Sequence, residues 1–228
     1  THAPAALAWG VLLACGIALW RVPVPPESST FFGLILCDPF SLAFRWIVLG
    51  TLTIVLLLMV ASRELPRSTR GEGVGLLLFI GVGLMLMAEA NHLLMAYVAM
   101  ELVSLSSYVL VGFLPERRSA EASLKYLLFG ALSSGIMLFG MSFLFGLTGS
   151  LAFPEIATAV EGVSGPMSNA LLVAVALMLA GLAFKISMVP FHMWTPDAYE
   201  GAPVAVTALL SVGPKAAGLA LLLRILEA

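Results

Sequence analysis

The sequence predicts an all-α fold, a polytopic membrane bundle of about seven transmembrane helices, one of them broken near Pro190. Of the 228 residues, 61% are hydrophobic and only 11% are charged, whereas soluble domains carry about 25% charged residues. The mean hydropathy is +1.06. A soluble chain of this length could not bury so much apolar surface. The apolar runs are continuous rather than alternating, which disfavours a transmembrane barrel.

Seven apolar segments are long enough, or nearly so, to cross a hydrocarbon layer of about 30 Å. They are Ala3–Trp20, Phe40–Ala61, Gly73–Ala88, Leu93–Leu114, Glu121–Leu147, Asn169–Trp194 and Ala202–Leu226. The third segment is short and the loop after it is tight, so the third and fourth segments are predicted to form a helical hairpin. In the sixth, Pro190 lacks the N–H that would bond the carbonyl of Ile186, so this helix is predicted to break.

Arginines are concentrated in the loops on one side of the predicted bundle. Five lie on that side against one on the other: Arg63, Arg67, Arg70, Arg117 and Arg118 against Arg21. Because basic loops favour the cytoplasm, the loops 62–72 and 115–121 are predicted to be cytoplasmic. Four tryptophans fall near segment ends, where interfacial aromatic residues are expected: Trp9, Trp20, Trp46 and Trp194.

Several functional classes are excluded by the rest of the composition. A net charge of −2 without a basic patch argues against nucleic-acid binding. Cys15 and Cys37 lack the spacing of a metal site or a disulfide framework. The sequence has no nucleotide-binding loop, metal-ligand cluster or nucleophile motif. We therefore predict no catalytic residue, no cofactor and no metal in this chain, and no redox chemistry.

Glu101 lies near the middle of the fourth segment. A charge at the centre of a bilayer helix costs roughly 2.5–3.5 kcal/mol, so such residues usually serve a function. Tyr97, Ser104 and Tyr108 recur at helical spacing and share its face. Two interpretations remain open: a group on a proton path, or one half of a static salt bridge between helices.

Lys185 and Lys215 are the basic residues at apparent mid-membrane depth. Lys185 lies five residues before Pro190, and a helix interruption beside a buried lysine is typical of a hydrated transport site. Lys215 directly follows Pro214, which is predicted to interrupt its own helix by releasing the carbonyl of Leu210. Proton carriage is the favoured interpretation of both lysines. A permanent ion pair between Lys185 and Glu101 is the alternative.

Lys125 and His192 are weaker candidates for proton transfer. Lys125 lies four residues after Glu121, so an ordinary helical ion pair at the membrane edge would explain it. His192 follows the predicted break and could relay protons near neutral pH, or it could be a satisfied interfacial residue. Position alone does not separate these alternatives.

The stretch from Phe184 to Pro203, FKISMVPFHMWTPDAYEGAP, closely resembles the antiporter-like membrane subunits of respiratory complex I, NADH:quinone oxidoreductase. Its Trp-Thr-Pro-Asp form is similar to the N branch of these subunits. Four further motifs agree with that family: Asn91-His92, the run around Glu101, Glu121–Tyr126 and Ser211–Lys215.

This resemblance implies a proton-translocating subunit of the membrane arm, an enzyme component in which the redox chemistry takes place elsewhere. It implies a bacterial inner-membrane location and contacts with lipid and with neighbouring antiporter-like subunits. NADH, FMN, Fe–S clusters and quinone would belong to partner subunits. The family pattern assigns proton transfer to Glu101, Lys185 and Lys215, and extends it with less support to Lys125 and His192.

Members of this family have about fourteen helices in two inverted five-helix repeats. The chain resembles helices two to eight and is expected to be a fragment. Residues 1–70 would supply two leading helices and 71–228 the first repeat, with the second repeat absent. The rival interpretations are a subunit of a multisubunit cation/proton antiporter or membrane-bound hydrogenase, and a structural membrane scaffold with fixed salt bridges.

Overall fold

A computed structural model describes residues 3–21, 28–62, 64–66, 68–163 and 165–227, and these form nine α-helices and one antiparallel β-hairpin. The helices are α1 Ala3–Arg21, α2 Pro39–Ser62, α3 Arg70–Glu89, α4 Leu93–Val111, α5 Arg117–Thr148, α6 Phe153–Glu161, α7 Pro166–Lys185, α8 Thr195–Gly201 and α9 Val204–Glu227. The strands are β1 Ser28–Thr30 and β2 Ile35–Cys37.

All seven predicted transmembrane segments are helical. Among the described residues, seven helices are long and apolar enough to cross a membrane: α1, α2, α3, α4, α5, α7 and α9. Large apolar side chains cover the outer surface, including Ile54, Phe79 and Leu132, each 60% exposed or more. This surface suits contact with lipid, and the all-α membrane bundle is confirmed.

The predicted break near Pro190 is confirmed, but the helix ends five residues earlier than the proline. Ser187 adopts a positive φ of 58°, and the N–H of Met188 donates to the carbonyl of Ala183 at 2.8 Å. Such a bond closes a helix end. The sixth segment therefore consists of α7 and a turn through residues 186–194. The short helix α8 follows it, where the sequence indicated only a turn.

The predicted break at Pro214 is not found, because α9 continues through this proline from Val204 to Glu227. A proline removes only one backbone donor. Gly213 and Pro214 are both buried, and Gly213 packs against Leu84 of α3. Lys215 therefore lies on an intact helix. α6 was also missed, since nine residues are too few to span a membrane.

The helices pack closely around α3 and α5. α3 contacts α2, α4 and α9, and α5 contacts α7 and α8. At Gly140 of α5, an added Cβ would lie 2.6 Å from the backbone nitrogen of Met178. Only glycine therefore permits this approach of α5 to α7, as is common where membrane helices cross.

Two ion pairs tie α9, α2 and α3 together at one end of the bundle. Arg224 binds both carboxylate oxygens of Asp38 at 2.6 Å, and Arg45 binds Glu89 at 2.6 Å. Burial would raise the pKa of Asp38, but hydrogen bonds from Arg224 and from the N–H of Ser41 outweigh it and hold that pKa below 3.8. Asp38 therefore stays ionised and keeps Arg224 in place.

The tight loop between α3 and α4 connects these two helices to the β-hairpin. Asn91 donates two hydrogen bonds to the hairpin, from its N–H to the carbonyl of Leu34 at 3.0 Å and from its side-chain amide to the carbonyl of Gly33 at 3.2 Å. His92 caps α4, where its Nδ1 accepts the N–H of Leu94 at 3.1 Å. This bond requires a neutral ring with the proton on Nε2.

The cap formed by His92 should make stability depend on pH. Burial holds the pKa of His92 below 6.5 despite the charge of Glu155. The folded state therefore favours the neutral ring. The stabilising contribution is present above the unfolded-state pKa and is lost as the pH falls below 6.5 through the folded-state pKa.

We expect His92→Phe to destabilise the protein by about 1 kcal/mol at neutral pH, because it removes the cap. His92→Asn keeps a capping oxygen and should be close to wild type, while losing the pH dependence of this site. Thermal unfolding in detergent at about pH 7.5 and about pH 5.5, either side of the ordinary histidine pKa, measures both effects. Equal stability of the Phe variant and the wild type at the higher pH would refute the capping role.

Candidate functional site

Lys185 is the last residue of α7 and its side chain is almost completely buried, with 2% of the residue exposed. Its ammonium donates to Ser104 Oγ at 2.9 Å and to the carbonyl of Met100 at 3.4 Å. Ser104 in turn donates to the same carbonyl at 2.8 Å. The cation also lies at the C-terminal, negative end of the α7 dipole. The ammonium is therefore bound by two neutral groups, a hydroxyl and a backbone carbonyl.

Glu101 follows Met100 on α4, so it lies beside the group that holds Lys185. Its carboxylate accepts a hydrogen bond from Ser134 Oγ of α5. Within the described residues the ion pairs do not include Glu101 with Lys185. The permanent ion pair of the alternative interpretation is therefore not formed in this structure, and each charge has a serine hydroxyl as its partner. The two charges occupy adjacent positions without touching.

An aromatic cluster closes the end of α7. The rings of Tyr126 and Trp194 stack with centroids 4.3 Å apart, and Tyr108 contacts the Tyr126 ring edge-on at 4.6 Å. Trp194 Nε1 donates at 3.2 Å to the carbonyl of Phe184, which also accepts the N–H of Ser187 at 3.1 Å where α7 ends. Trp194 is 2% exposed, so it packs inside the bundle. It fixes the helix end that carries Lys185.

Lys215 lies beside this helix end on α9. Its Nζ is 5.4 Å from the centroid of the Tyr199 ring of α8, a cation–π contact. Three residues further along α9, a Cβ added to Gly218 would meet Ile186 at 2.6 Å and Lys185 Cγ at 3.7 Å. At Gly218, therefore, α9, the helix that carries Lys215, packs against Ile186 directly after the end of α7.

Three buried hydroxyl oxygens lie on the segment between α7 and α9. Ser187 Oγ, Thr195 Oγ1 and Tyr199 Oη make no hydrogen bond within the described part of the chain. Buried hydroxyls normally bond to protein or to water. These three groups lie between the two central lysines along the chain and are suited to bind water.

The structure does not place Lys125 and His192 in this site. Lys125 Nζ binds Glu121 at 2.9 Å and Asp197 at 3.4 Å, so its side chain joins α5 to α8 in an exposed ion-pair group. His192 lies in the turn after α7 and is exposed.

α9 is capped from a distant part of the chain rather than by the carboxylates of the 195–203 turn. Asp197 binds Lys125, as described above, and Glu200 binds Arg118. The first N–H of α9, that of Val204, donates instead to the carboxylate of Glu64 at 2.8 Å. Glu64 lies far away in the sequence, so only the tertiary fold could identify it as the capping partner.

Two residues of the site escaped the sequence reasoning, Ser134 and Tyr126. Ser134 belongs to a Ser-Ser-Gly step that interrupts an otherwise apolar stretch of α5. That polar step was the one available signal, since polar residues at mid-membrane depth usually face a protein neighbour. Tyr126 follows Lys125 and is completely buried, with its hydroxyl 3.2 Å from Ser107 Oγ. Its role depends on contacts between distant helices.

An interrupted helix that presents a buried lysine to a glutamate-bearing helix is typical of ion-translocating membrane proteins. Residues 90–227 match the family described as NADH:quinone oxidoreductase/Mrp antiporter, transmembrane, and the chain belongs to that family.

The curated relatives that it matches include subunits N of NADH-quinone oxidoreductase. One from Anaeromyxobacter sp. (strain Fw109-5) is 40% identical, and the match covers 94% of this chain and 43% of that protein. Subunit N 2 of Sorangium cellulosum (strain So ce56) is 47% identical, with coverage of 93% and 44%. The chain therefore spans less than half the length of these relatives.

Solved structures show the same fold. A chain of respiratory complex I from Thermus thermophilus with bound aureothin matches with a TM-score of 0.79 and 34% identity, over 97% of this chain and 48% of that one. A chain of the Mrp complex from Dietzia sp. DQ12-45-1b matches with a TM-score of 0.76 at 24% identity, over 98% and 42%. The second likeness concerns the fold alone.

Gly218→Ala should destabilise the protein by about 1–3 kcal/mol, the usual cost of overpacking. The added methyl would lie 2.6 Å from Ile186 Cγ2, on a β-branched side chain that cannot turn away easily. Gly50→Ala of α2 is the matched control, because a Cβ there meets nothing within 4 Å and alanine favours a helix. Thermal unfolding in detergent compares them, and equal effects of the two variants would disprove the close-packing argument.

Proposed function

We propose that the chain is part of an N-type membrane-arm subunit of a proton-translocating NADH:quinone oxidoreductase in a bacterial inner membrane. The observation that carries this proposal is the buried ammonium of Lys185 at the end of an interrupted helix. It contacts the carbonyl of Met100, the residue directly before Glu101 on α4. Other membrane subunits, above all neighbouring antiporter-like ones, would be its partners. Those partners outside this chain would hold NADH, FMN, Fe–S clusters and quinone.

The mechanism would be electrostatic. A carboxylate close to a buried amine favours the ammonium, and removing the carboxylate disfavours it. Movement of Glu101 toward Lys185 would load a proton, and its return to Ser134 would release one. The energy for this exchange would come from quinone reduction in other subunits.

Released protons would pass toward Lys215 through the segment between α7 and α9. The packing of Gly218 on Ile186 supports this route, because it places the helix of Lys215 against the end of α7. The buried hydroxyls of Ser187, Thr195 and Tyr199 offer donors and acceptors along it. Lys215, held over an aromatic ring rather than by a carboxylate, would be the next station.

Lys125 and His192 would act as outer stations. Lys125 would have to leave Glu121 and Asp197 to accept or pass a proton, which suits a gate at the helix end better than a central carrier. We place the Arg-rich loops 62–72 and 115–121 on the cytoplasmic side. Arg63 and Arg67 lie outside the described residues, whereas Arg70, Arg117 and Arg118 begin α3 and α5.

Residues 71–228 would form the first five-helix repeat and residues 1–70 two leading helices. The family match over residues 90–227 supports this division, as does the marginal packing of α1, in which only Ala8 and Leu12 are buried.

A multisubunit cation/proton antiporter is the second candidate, favoured by the Mrp part of the family description. The higher identity to a complex I chain favours the first candidate. A static scaffold is less consistent with the site, since its fixed salt bridge between Glu101 and Lys185 is not formed.

Lys185→Ala in the complete, assembled complex should lower NADH-driven proton pumping by on the order of tenfold or more, since a positioned proton-transfer group contributes at least that. Arg21→Ala, which removes an exposed cation at the end of α1, is the control and should pump normally. Proton uptake by inverted vesicles is measured against NADH oxidation, with assembly followed on native gels. Normal pumping by an assembled Lys185→Ala complex would refute the proposed function.

A further inference from the structure

Serine hydroxyls hold both charges of the central site. Ser134 on α5 donates to the Glu101 carboxylate, and Ser104 on α4 accepts from the Lys185 ammonium at 2.9 Å. We propose that these serines are positioning residues: each hydroxyl holds one charge of the pair that the proposed function brings together, and so keeps Glu101 and Lys185 apart until that contact forms. This inference rests on the proposed function.

The geometry makes the exchange short. The ammonium reaches the carbonyl of Met100, the residue directly before Glu101, so it lies against the turn of α4 that carries Glu101. Ser104 lies one turn beyond Glu101 on the same helix, about 4.5 Å along its axis. In the proposed exchange a change of side-chain rotamer at Glu101 moves the carboxylate from Ser134 toward Lys185.

A hydroxyl differs from a charged partner in one decisive way. It stabilises a carboxylate or an ammonium by a charge-assisted hydrogen bond but does not neutralise it. Glu101 on Ser134 is therefore satisfied and yet remains attracted to Lys185. This leaves two arrangements of similar free energy, which is the requirement for a switch.

The bond from Ser134 is not a routine helical contact. Serines inside helices commonly bond to a carbonyl of their own helix, and Ser104 does so toward Met100 at 2.8 Å. Ser134 instead crosses from α5 to α4 and reaches a charged group. A purely local role therefore does not explain it.

The other titratable groups near the pair are few. The phenols near the pair, which are uncharged groups, belong to Tyr97, Tyr108, Tyr126 and Tyr199. On α9 the central charge is Lys215, and on α7 it is Lys185 itself. The charges of α3 lie at its ends: Arg70, Glu72 and Glu89. Of the groups around the pair, Lys215 is thus the one that can add a charge.

The test is the pH profile of proton pumping by the assembled complex. Ser134→Ala should free Glu101 to contact Lys185, favour the ammonium and shift the alkaline limb to higher pH. Ser104→Ala removes an acceptor of the ammonium and should shift that limb to lower pH. Each shift should correspond to a roughly ten- to hundredfold change in proton affinity, typical for a lost hydrogen bond to a charged group.

Conservative variants and a neighbouring serine separate this role from a structural one. Ser134→Thr and Ser104→Thr keep the hydroxyl and should retain the wild-type profile. Ser133→Ala removes the adjacent hydroxyl of α5 and should leave the profile unchanged. If Ser134→Ala does not assemble, Ser134→Cys replaces it, and its weaker donor should give a smaller shift in the same direction.

Unchanged profiles for both alanine variants, or shifts in the same direction, would overturn the inference while leaving the proposed function intact. The function itself is tested beforehand in Lys185→Ala. If that variant pumps normally, the proposed function fails independently of the serines. Opposite shifts with rescue by threonine would establish the two hydroxyls as positioning residues.

Discussion

The burial of the Lys185 ammonium is the constraint on which the surrounding structure depends. A cation in an apolar bundle needs acceptors at short range, and four local features supply or permit them. α7 ends at the lysine, so the negative end of its dipole faces the charge. Ser104 and the Met100 carbonyl accept its protons. Trp194 donates to the carbonyl of Phe184, and Gly218 leaves room for the lysine stem.

Ion pairs that fix the helices lie in a different part of the molecule from the contacts of the central charges. Within the described residues, carboxylates pair with cations at the ends of the helices: Arg224 with Asp38, Arg45 with Glu89, Arg118 with Glu200, and Lys125 with Glu121 and Asp197. These contacts fix α9, α2 and α3 at one end of the bundle and α5 and α8 at the other. The proposed exchange at Glu101 and Lys185 takes place between these ends, where the rings of Tyr126 and Trp194 stack.

The fold could be predicted from the sequence because continuous hydropathy determines which segments span a membrane. Short elements carry no such signal, so α6, α8 and the β-hairpin were missed. The Pro190 break was found, but its position depended on Ser187 and on the bond from Met188 to Ala183. Lys185, Glu101 and Lys215 stood out as mid-membrane charges. Their partners did not, since the contacts of Ser134 and Trp194 join helices far apart in sequence.

The kind of partner distinguishes the central lysines from the peripheral cations. Lys185 is held by a hydroxyl and a carbonyl, and Lys215 by an aromatic ring, whereas Arg224 and Arg45 are held by carboxylates. A carboxylate at short range commits a cation to its charge, because separating the pair leaves an uncompensated ion. Neutral partners leave the proton affinity of an amine open to change by a charge that approaches or withdraws. The central lysines are therefore bound in the way that a proton carrier requires, and the peripheral cations in the way that a fixed joint requires.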